Sequence, residues 1–166
     1  MKSINNNNQR NTMGLDQYLD VHRYIGHHDA KQTGTIKSKS YSSSDVTEIT
    51  TELKDVKYLV LEGLYWRKAN QIHNWFLREC CGGIDSNGGP TYVDEEKLQE
   101  LLDLCKQVKA DHSLAESLLP TLEGFFFGSY EYDDWYFEQI DETITMLEKF
   151  IPTITAVDEL YYRSSW

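Results

Sequence analysis

The sequence predicts an α+β domain, in which a small antiparallel sheet from the N-terminal half is packed by three to four helices from the C-terminal two-thirds. Apolar and polar residues alternate at period two over residues 15–25, as in a half-buried strand. Apolar residues recur every three or four positions over 95–109 and again over 130–150, as on the buried face of a helix. The chain has 166 residues, of which 40% are hydrophobic, so its core needs no disulfide or metal.

Composition divides the chain into three parts. Residues 1–12 are polar and include a run of four asparagines, which predicts a flexible N-terminal arm. Residues 13–152 are predicted to form the single α+β domain. Pro152 ends the last long helix. Residues 153–166 are then expected to form a tail, or a short helix through Val157, Leu160 and Tyr161.

The strands of the predicted sheet lie in the first 62 residues. After the strand at 15–25, residues 30–45 are rich in Ser, Thr, Lys and Gly and predict a loop. Two further strands are expected near 46–52 and 56–62, because β-branched and apolar residues recur there. Gly63 is expected to break the chain before the next helix.

That helix, predicted from Tyr65 onward, is unusually polar and aromatic. One apolar stripe runs from Tyr65 through Ala69 to Cys80, and another face carries amides and guanidinium groups, which offer several directed donors. Two interpretations remain open. In the first, the helix is structural: its tryptophans fill the core and His73 forms a hydrogen bond with a backbone carbonyl. In the second, its polar face binds a flat, anionic ligand. The second interpretation gives these ligand-binding residues: Trp66, Arg67, Lys68, Asn70, His73, Asn74, Tyr132 and Trp135.

The C-terminal half predicts further helices. Asp94 is expected to cap a helix over 95–109, and the pattern Ser113 to Glu116 is typical of a capping box for a short helix that Pro120 stops. The phenylalanines of 125–127 suit a buried strand or a turn that sends rings to both sides. Ser129 is expected to cap a helix over 130–150 whose solvent face is acidic. Its candidate partner-binding residues are Asp133, Asp134, Glu138 and Asp141.

The formal net charge of −11 is unevenly distributed. Residues 1–60 carry 8 basic and 7 acidic side chains, whereas residues 61–166 carry 8 basic and 20 acidic ones. Direct nucleic-acid binding is therefore not expected, since phosphate contacts need a basic face. The acidity fits ordinary solubility, a surface that imitates nucleic acid, or docking on a basic partner.

Other sequence features argue against secretion, membrane insertion and cofactor binding. No apolar run reaches the length of a membrane span, and the first ten residues lack the apolar core of a signal peptide. The adjacent Cys80 and Cys81 and the single Cys105 give no disulfide framework. We therefore expect a cytoplasmic protein without a cofactor. The glycines of 82–90 are not followed by the lysine and helix of a phosphate-binding loop.

Metal binding and catalysis are not favoured by the sequence. His22, His27, His28 and Asp29 match no standard metal-site spacing. An enzyme would use His73 as general base, oriented by the carboxylate of Asp16 or Asp133. The chain has no nucleophile elbow and no spaced metal ligands to support that alternative.

Three motifs stand out in the chain: Met-Gly-Leu-Asp at 13–16, Trp-Arg-Lys-Ala-Asn at 66–70, and Gly-Phe-Phe-Phe-Gly-Ser at 124–129 with the Tyr-Asp and Trp-Tyr pairs that follow. With these motifs the chain resembles a family of small uncharacterised phage- and prophage-encoded proteins. The resemblance covers most of residues 13–150. Residues 1–12 depart from it because the family looks as if it begins at Met13, and the loop 82–90 is longer than usual. The resemblance implies a viral accessory role, of which counteraction of host defence is one kind.

These observations lead to one expected function and two alternatives. The expected function is a non-catalytic phage accessory protein in the host cytoplasm that counteracts defence by binding a small, nucleotide-like anion. The first alternative is an acidic inhibitor of a basic host protein, with nucleic-acid mimicry as one form of it, and the second is a small hydrolytic enzyme. The sequence also allows a homo-oligomer, in which the tyrosine-rich C-terminal ends of two copies would pack against each other.

Overall fold

A computed structural model describes residues 14–25, 35–41, 46–52 and 56–166, and it confirms the α+β class. Its main sheet has four antiparallel strands in the order β4-β1-β6-β5, and strands β2 and β3 form a separate antiparallel pair. The strands are β1 Asp16–Tyr24, β2 Thr35–Tyr41, β3 Val46–Glu52, β4 Tyr58–Arg67, β5 Thr91–Val93 and β6 Asp158–Ser165. The described α-helices are α1 Asn70–Glu79, α2 Glu95–Ala110, α3 Ala115–Leu118 and α4 Asp134–Phe150.

The C-terminal end is a central strand of the sheet, so the prediction of a tail or short helix over 153–166 is wrong. A short 3₁₀ turn over Ile151–Thr153 leads into β6, which pairs with both β1 and β5. Leu160 and Tyr162 are buried whereas the intervening Tyr161 is partly exposed, which is the period-two pattern of a strand. The sheet thus draws two strands from the C-terminal half, not only from the N-terminal half.

Gly63 lies inside a strand and does not break the chain. The pairing of β1 with β4 shifts register between Leu19 and Asp20, opposite Leu64 and Glu62, so Gly63 is the extra residue of a β-bulge. A Cβ atom there would lie 2.5 Å from the Leu19 carbonyl oxygen, which explains why this position has no side chain. β4 therefore continues to Arg67, beyond the predicted end at residue 62.

The central helix starts five residues later than predicted. Tyr65 and Trp66 are neighbours in β4 and face opposite sides of the sheet, so Tyr65 does not belong to the helical stripe. Lys68 turns the chain with φ +57, and α1 follows from Asn70. Residues 35–41, predicted as loop, form β2, while residues 26–34 and 42–45 lie outside the described residues.

The caps of three helices differ from the sequence prediction, although α2 starts at Glu95 as predicted. Asp94 precedes α2 but its side chain makes no capping hydrogen bond. The cap before α3 comes from Asp111, which accepts the Ser113 N–H at the start of a 3₁₀ turn over His112–Leu114. The last long helix begins at Asp134, because the Asp133 carboxylate accepts the Tyr136 N–H at 3.1 Å.

One hydrophobic core lies between the inner face of the sheet and the helices. α1 crosses the inside of the molecule, and seven of its ten residues are buried. Its Phe76 ring stacks on the Tyr162 ring of β6 with centroids 4.0 Å apart. α2 and α4 pack against each other over the same core. No helix among the described residues is long and apolar enough to cross a membrane.

Candidate binding surface

The residues predicted to hold a ligand are mostly committed to contacts within the protein. Trp66 is buried in the core, and its indole Nε1–H donates to Thr143 Oγ1 at 3.0 Å. Asn74 Nδ2 donates to the Pro120 carbonyl at 2.9 Å. Arg67 Nη1 lies 3.1 Å from Asp16 Oδ1. Trp66, Arg67 and Asn74 therefore bond partners within the protein, and none of them lines the three cavities described below.

Asn70 holds together the two arms of the loop at 122–129. Its side chain is buried, and its amide nitrogen donates to the carbonyls of Ser129 at 2.7 Å and Phe127 at 3.3 Å. Its amide oxygen accepts the Leu122 N–H at 3.1 Å. Three polar groups of one loop therefore depend on a single side chain at the first turn of α1.

His73 is the centre of a second buried network. Its Nδ1 lies 2.7 Å from the Tyr162 hydroxyl, and its Nε2 lies 3.0 Å from Asp85 Oδ2. The Tyr162 hydroxyl also reaches Gln17 Oε1 at 3.1 Å. Burial lowers the pKa of His73, and Asp85 only partly offsets that effect. The single proton of the Tyr162 hydroxyl goes either to Gln17 Oε1 or to His73 Nδ1, and this choice sets which ring nitrogen of neutral His73 is the donor.

This network does not match the predicted catalytic pair. His73 pairs with Asp85, whereas Asp16 contacts Arg67 and the Tyr65 hydroxyl and Asp133 caps α4. Because the His73 side chain is fully buried, it cannot serve as a general base for a bound substrate in this state. Asp85 also accepts from the Trp166 indole at 2.9 Å, so the network fastens the loop 82–90 to the C-terminal residue.

The phenylalanine motif forms an exposed turn and not a buried strand. The Phe127 N–H reaches the Gly124 carbonyl at 3.3 Å, which closes a four-residue turn. Phe127 is buried against His73, whereas Phe125 is 69% exposed and Phe126 is 50% exposed. We call the stretch Gly124–Phe127 the phenylalanine turn.

Phe126 adopts an unusual backbone conformation. Its φ of +64 lies in the left-handed region, which is disfavoured for a bulky side chain and costs about 1–2 kcal/mol. Such strain persists only where the surroundings fix it. Here the Tyr130 hydroxyl donates to the Gly124 carbonyl at 2.7 Å and also lies 3.3 Å from the Gly124 nitrogen. A Cβ atom on Gly124 would meet the Phe127 ring at 2.4 Å, so the turn is closely packed at its base.

The acidic face predicted on the last helix is present and adjoins exposed aromatic rings. Residues 110–148 contain ten Asp or Glu and no Lys or Arg. Within the described part of the chain, Asp134 and Glu138 form no salt bridge, while Asp141 pairs with Lys109 at 2.7 Å. We define the acidic–aromatic surface by the exposed side chains of this segment: Phe125, Phe126, Glu131, Tyr132, Asp134, Trp135, Glu138 and Asp141.

Three cavities among the described residues are also acidic. A cavity of about 510 Å³ lies along α4 and is lined by Asp134, Glu138 and the Lys109–Asp141 pair. One of about 710 Å³, between β5, the start of α2 and residues 151–160, has four acidic residues in its wall and no lysine or arginine. A third, of about 170 Å³, contains Arg23, but two of its three guanidinium nitrogens, Nε and Nη2, donate to Asp158. None of the three offers an unpaired cation to an anionic ligand.

Thiol and metal chemistry find no support in the described residues. Burial raises the pKa of the Cys80 thiol to about 12 and raises that of Cys105 as well, so neither is poised as a thiolate. No three His, Cys, Asp or Glu side chains of the described part come together as a metal site. His27, His28 and Asp29, weighed as ligands from the sequence, lie outside that part.

Comparison of the chain with protein-family models, with curated proteins and with solved structures finds no match.

Proposed function

We propose that the protein is a non-catalytic binding protein that docks on a basic protein partner through the acidic–aromatic surface. The observation that carries the proposal is the concentration of exposed rings and exposed carboxylates in one segment, 110–148, that contains no Lys or Arg. Among the described residues, Asp134 and Glu138 of this segment form no salt bridge. This is the first alternative of the sequence analysis, with the phenylalanine turn added to it.

The two kinds of side chain have different roles in such an interface. Aromatic residues supply most of the binding free energy when they become buried at the centre of an interface. Carboxylates at the rim steer a basic partner and raise the association rate, with less effect on the final affinity. Trp135 stands one residue from Asp134 and one helical turn from Glu138, so an exposed ring lies directly among the acids.

A protein partner fits the surface better than a small nucleotide-like anion. The polar groups of Trp66, Asn70 and Asn74 already bond the protein itself, and each of the three cavities described above contains carboxylates and no unpaired Lys or Arg. An anion would be repelled from such sites. Nucleic-acid mimicry is compatible with this surface, and counteraction of a host defence protein is the role that the phage resemblance implies for it.

Site-specific photocrosslinking tests the proposal. A benzophenone amino acid at Trp135, which is 46% exposed, is expected to form an adduct with a basic protein in the bacterial host. Tyr92 gives a matched control, because it is an aromatic residue of similar exposure (54%) on β5. The adduct is expected at Trp135 and not at Tyr92, and the captured protein should then bind the purified chain directly.

The opposite pattern contradicts the proposal. An adduct at Tyr92 with none at Trp135 would place the interface on the outer face of the sheet. Adducts of equal yield at both positions would indicate non-specific contact.

A further inference from the structure

We infer that Phe125 and Phe126 form a preformed wedge that enters an apolar pocket of the partner protein. The inference rests on the proposed function and assigns its specificity to the phenylalanine turn. The acids of the surrounding surface would bring a basic protein into contact, and the wedge would decide which basic protein is bound.

The two rings already form a pair in the free protein. Their centroids lie 4.2 Å apart at an interplanar angle of 62°, an edge-to-face arrangement. Both rings are largely in water, although the third phenylalanine of the motif is buried. The turn therefore uses one ring as an anchor inside the protein and presents the other two as a single apolar projection.

The projection is held in place from several sides. The Asn70 side chain forms hydrogen bonds with both arms of the loop at 122–129, and the Tyr130 hydroxyl forms hydrogen bonds with the backbone of Gly124. Lys68 lies beside the turn. A Cβ atom on Gly14 would be 3.0 Å from Lys68 Cε and 3.7 Å from the Phe126 carbonyl oxygen, so these two atoms are close to each other. The backbone of Lys68 is also left-handed, with φ +57. A loop fixed in this way loses little conformational entropy on binding, which favours affinity for a pocket of matching shape.

The charges around the turn favour a protein pocket over a membrane. Glu123 and Glu131 flank the turn in the chain, and the whole of 110–148 lacks Lys and Arg. Lys68 and Arg67 both lie near the turn, since a Cβ atom on Gly14 would also be 3.8 Å from Arg67 Nη2. Arg67 is paired with Asp16, and these two cations do not offset the surrounding acids at an anionic lipid surface. A basic protein with an apolar pocket complements both the rings and the carboxylates.

The test compares single substitutions in binding to the protein captured at Trp135. Phe125→Ser and Phe126→Gly are each expected to weaken binding about tenfold or more, as for buried aromatic anchors. Phe126→Gly removes the ring and keeps access to the left-handed conformation, so the turn itself is preserved. Ile84→Ser is the matched control, because Ile84 is as exposed as Phe125, at 69%, but lies in the loop 82–90. It is expected to bind like the parent protein.

A further variant tests the rigidity of the wedge. Tyr130→Phe removes the hydroxyl that clasps Gly124 and leaves both phenylalanine rings in place. It loses both contacts with Gly124, and its less ordered turn is expected to weaken binding about threefold. Circular dichroism should show the parent fold in every variant. The melting temperature should match the parent in Phe125→Ser and Ile84→Ser, while small shifts are expected in Tyr130→Phe, which loses hydrogen bonds, and in Phe126→Gly, which relieves the left-handed strain.

Each outcome decides between the two proposals. Parental affinity of Phe125→Ser and Phe126→Gly for the captured protein overturns the wedge and leaves the proposed function standing. Absence of any adduct at Trp135 overturns both. Co-sedimentation with vesicles of phosphatidylcholine and phosphatidylserine that is lost in Phe125→Ser would show that the wedge enters lipid, and would overturn the assignment to a protein pocket.

Discussion

Replacing Asn70 with alanine is expected to lower the free energy of unfolding by about 3 kcal/mol, because each buried polar group left without a partner costs about 1–3 kcal/mol. The substitution removes the hydrogen-bond partner of three backbone groups: the carbonyls of Phe127 and Ser129 and the N–H of Leu122. It also frees the loop that carries the phenylalanine turn. Urea unfolding followed by circular dichroism measures the change, and amide exchange at 122–129 should accelerate.

Asn74→Ala is the matched control for that substitution. Asn74 is the same residue type, one turn further along α1, but its side chain donates one hydrogen bond, to the Pro120 carbonyl, which lies outside the loop at 122–129. Its loss should cost about 1 kcal/mol. Equal destabilisation by the two variants would show that Asn70 does not organise the loop as described.

Acidification is expected to destabilise the protein through His73. Because burial lowers the pKa of His73 in the folded protein, the unfolded chain binds the extra proton more readily. The stability is therefore full above the unfolded pKa of about 6.5 and falls as the pH drops below it, by at most about 1.4 kcal/mol per pH unit until the folded pKa is reached. Between pH 6.5 and 5 the loss amounts to as much as about 2 kcal/mol.

His73→Gln isolates that contribution. Glutamine retains a donor and an acceptor for Asp85 and Tyr162 but does not titrate. The difference in unfolding free energy between parent and variant should shrink as the pH falls from 7 to 5, measured by urea unfolding at each pH. A difference that stays constant or grows on acidification contradicts a lowered pKa of His73.

The sequence predicted the elements whose pattern is local. The helix over 95–109 corresponds to α2 and the strand over 15–25 to β1, since in both the apolar period is uninterrupted. Asp134 and Glu138 were placed correctly on an exposed helical face for the same reason, whereas Trp135 was predicted on the buried face and is 46% exposed.

The remaining elements depended on contacts between distant residues. Gly63 looks like a helix breaker until its pairing with Leu19 across the bulge is known. The segment 158–165 has a strand pattern of only a few residues, and its place beside β1 is a tertiary contact. Likewise, Asn70 was predicted to face a ligand, because nothing local indicates that the loop at 122–129 takes all of its hydrogen bonds.

The phenylalanine turn was recognised as a motif but not as a surface. Three consecutive phenylalanines between glycines usually indicate burial. Only the left-handed backbone of Phe126 turns two of the rings outward. The sequence around the turn did give one indication that it lies on a charged surface: residues 110–148 contain ten Asp or Glu and no Lys or Arg.

The most direct test of the acidic–aromatic surface is a comparison of two double charge reversals that change the net charge equally. Asp134→Lys with Glu138→Lys alters the surface, and Glu96→Lys with Asp103→Lys alters exposed positions on α2. The measurement is the dissociation constant for the captured partner at low and high salt. We expect the first pair to weaken binding about tenfold, less so at high salt, and the second pair to leave it nearly unchanged. Equal weakening by both pairs would contradict a localised docking surface.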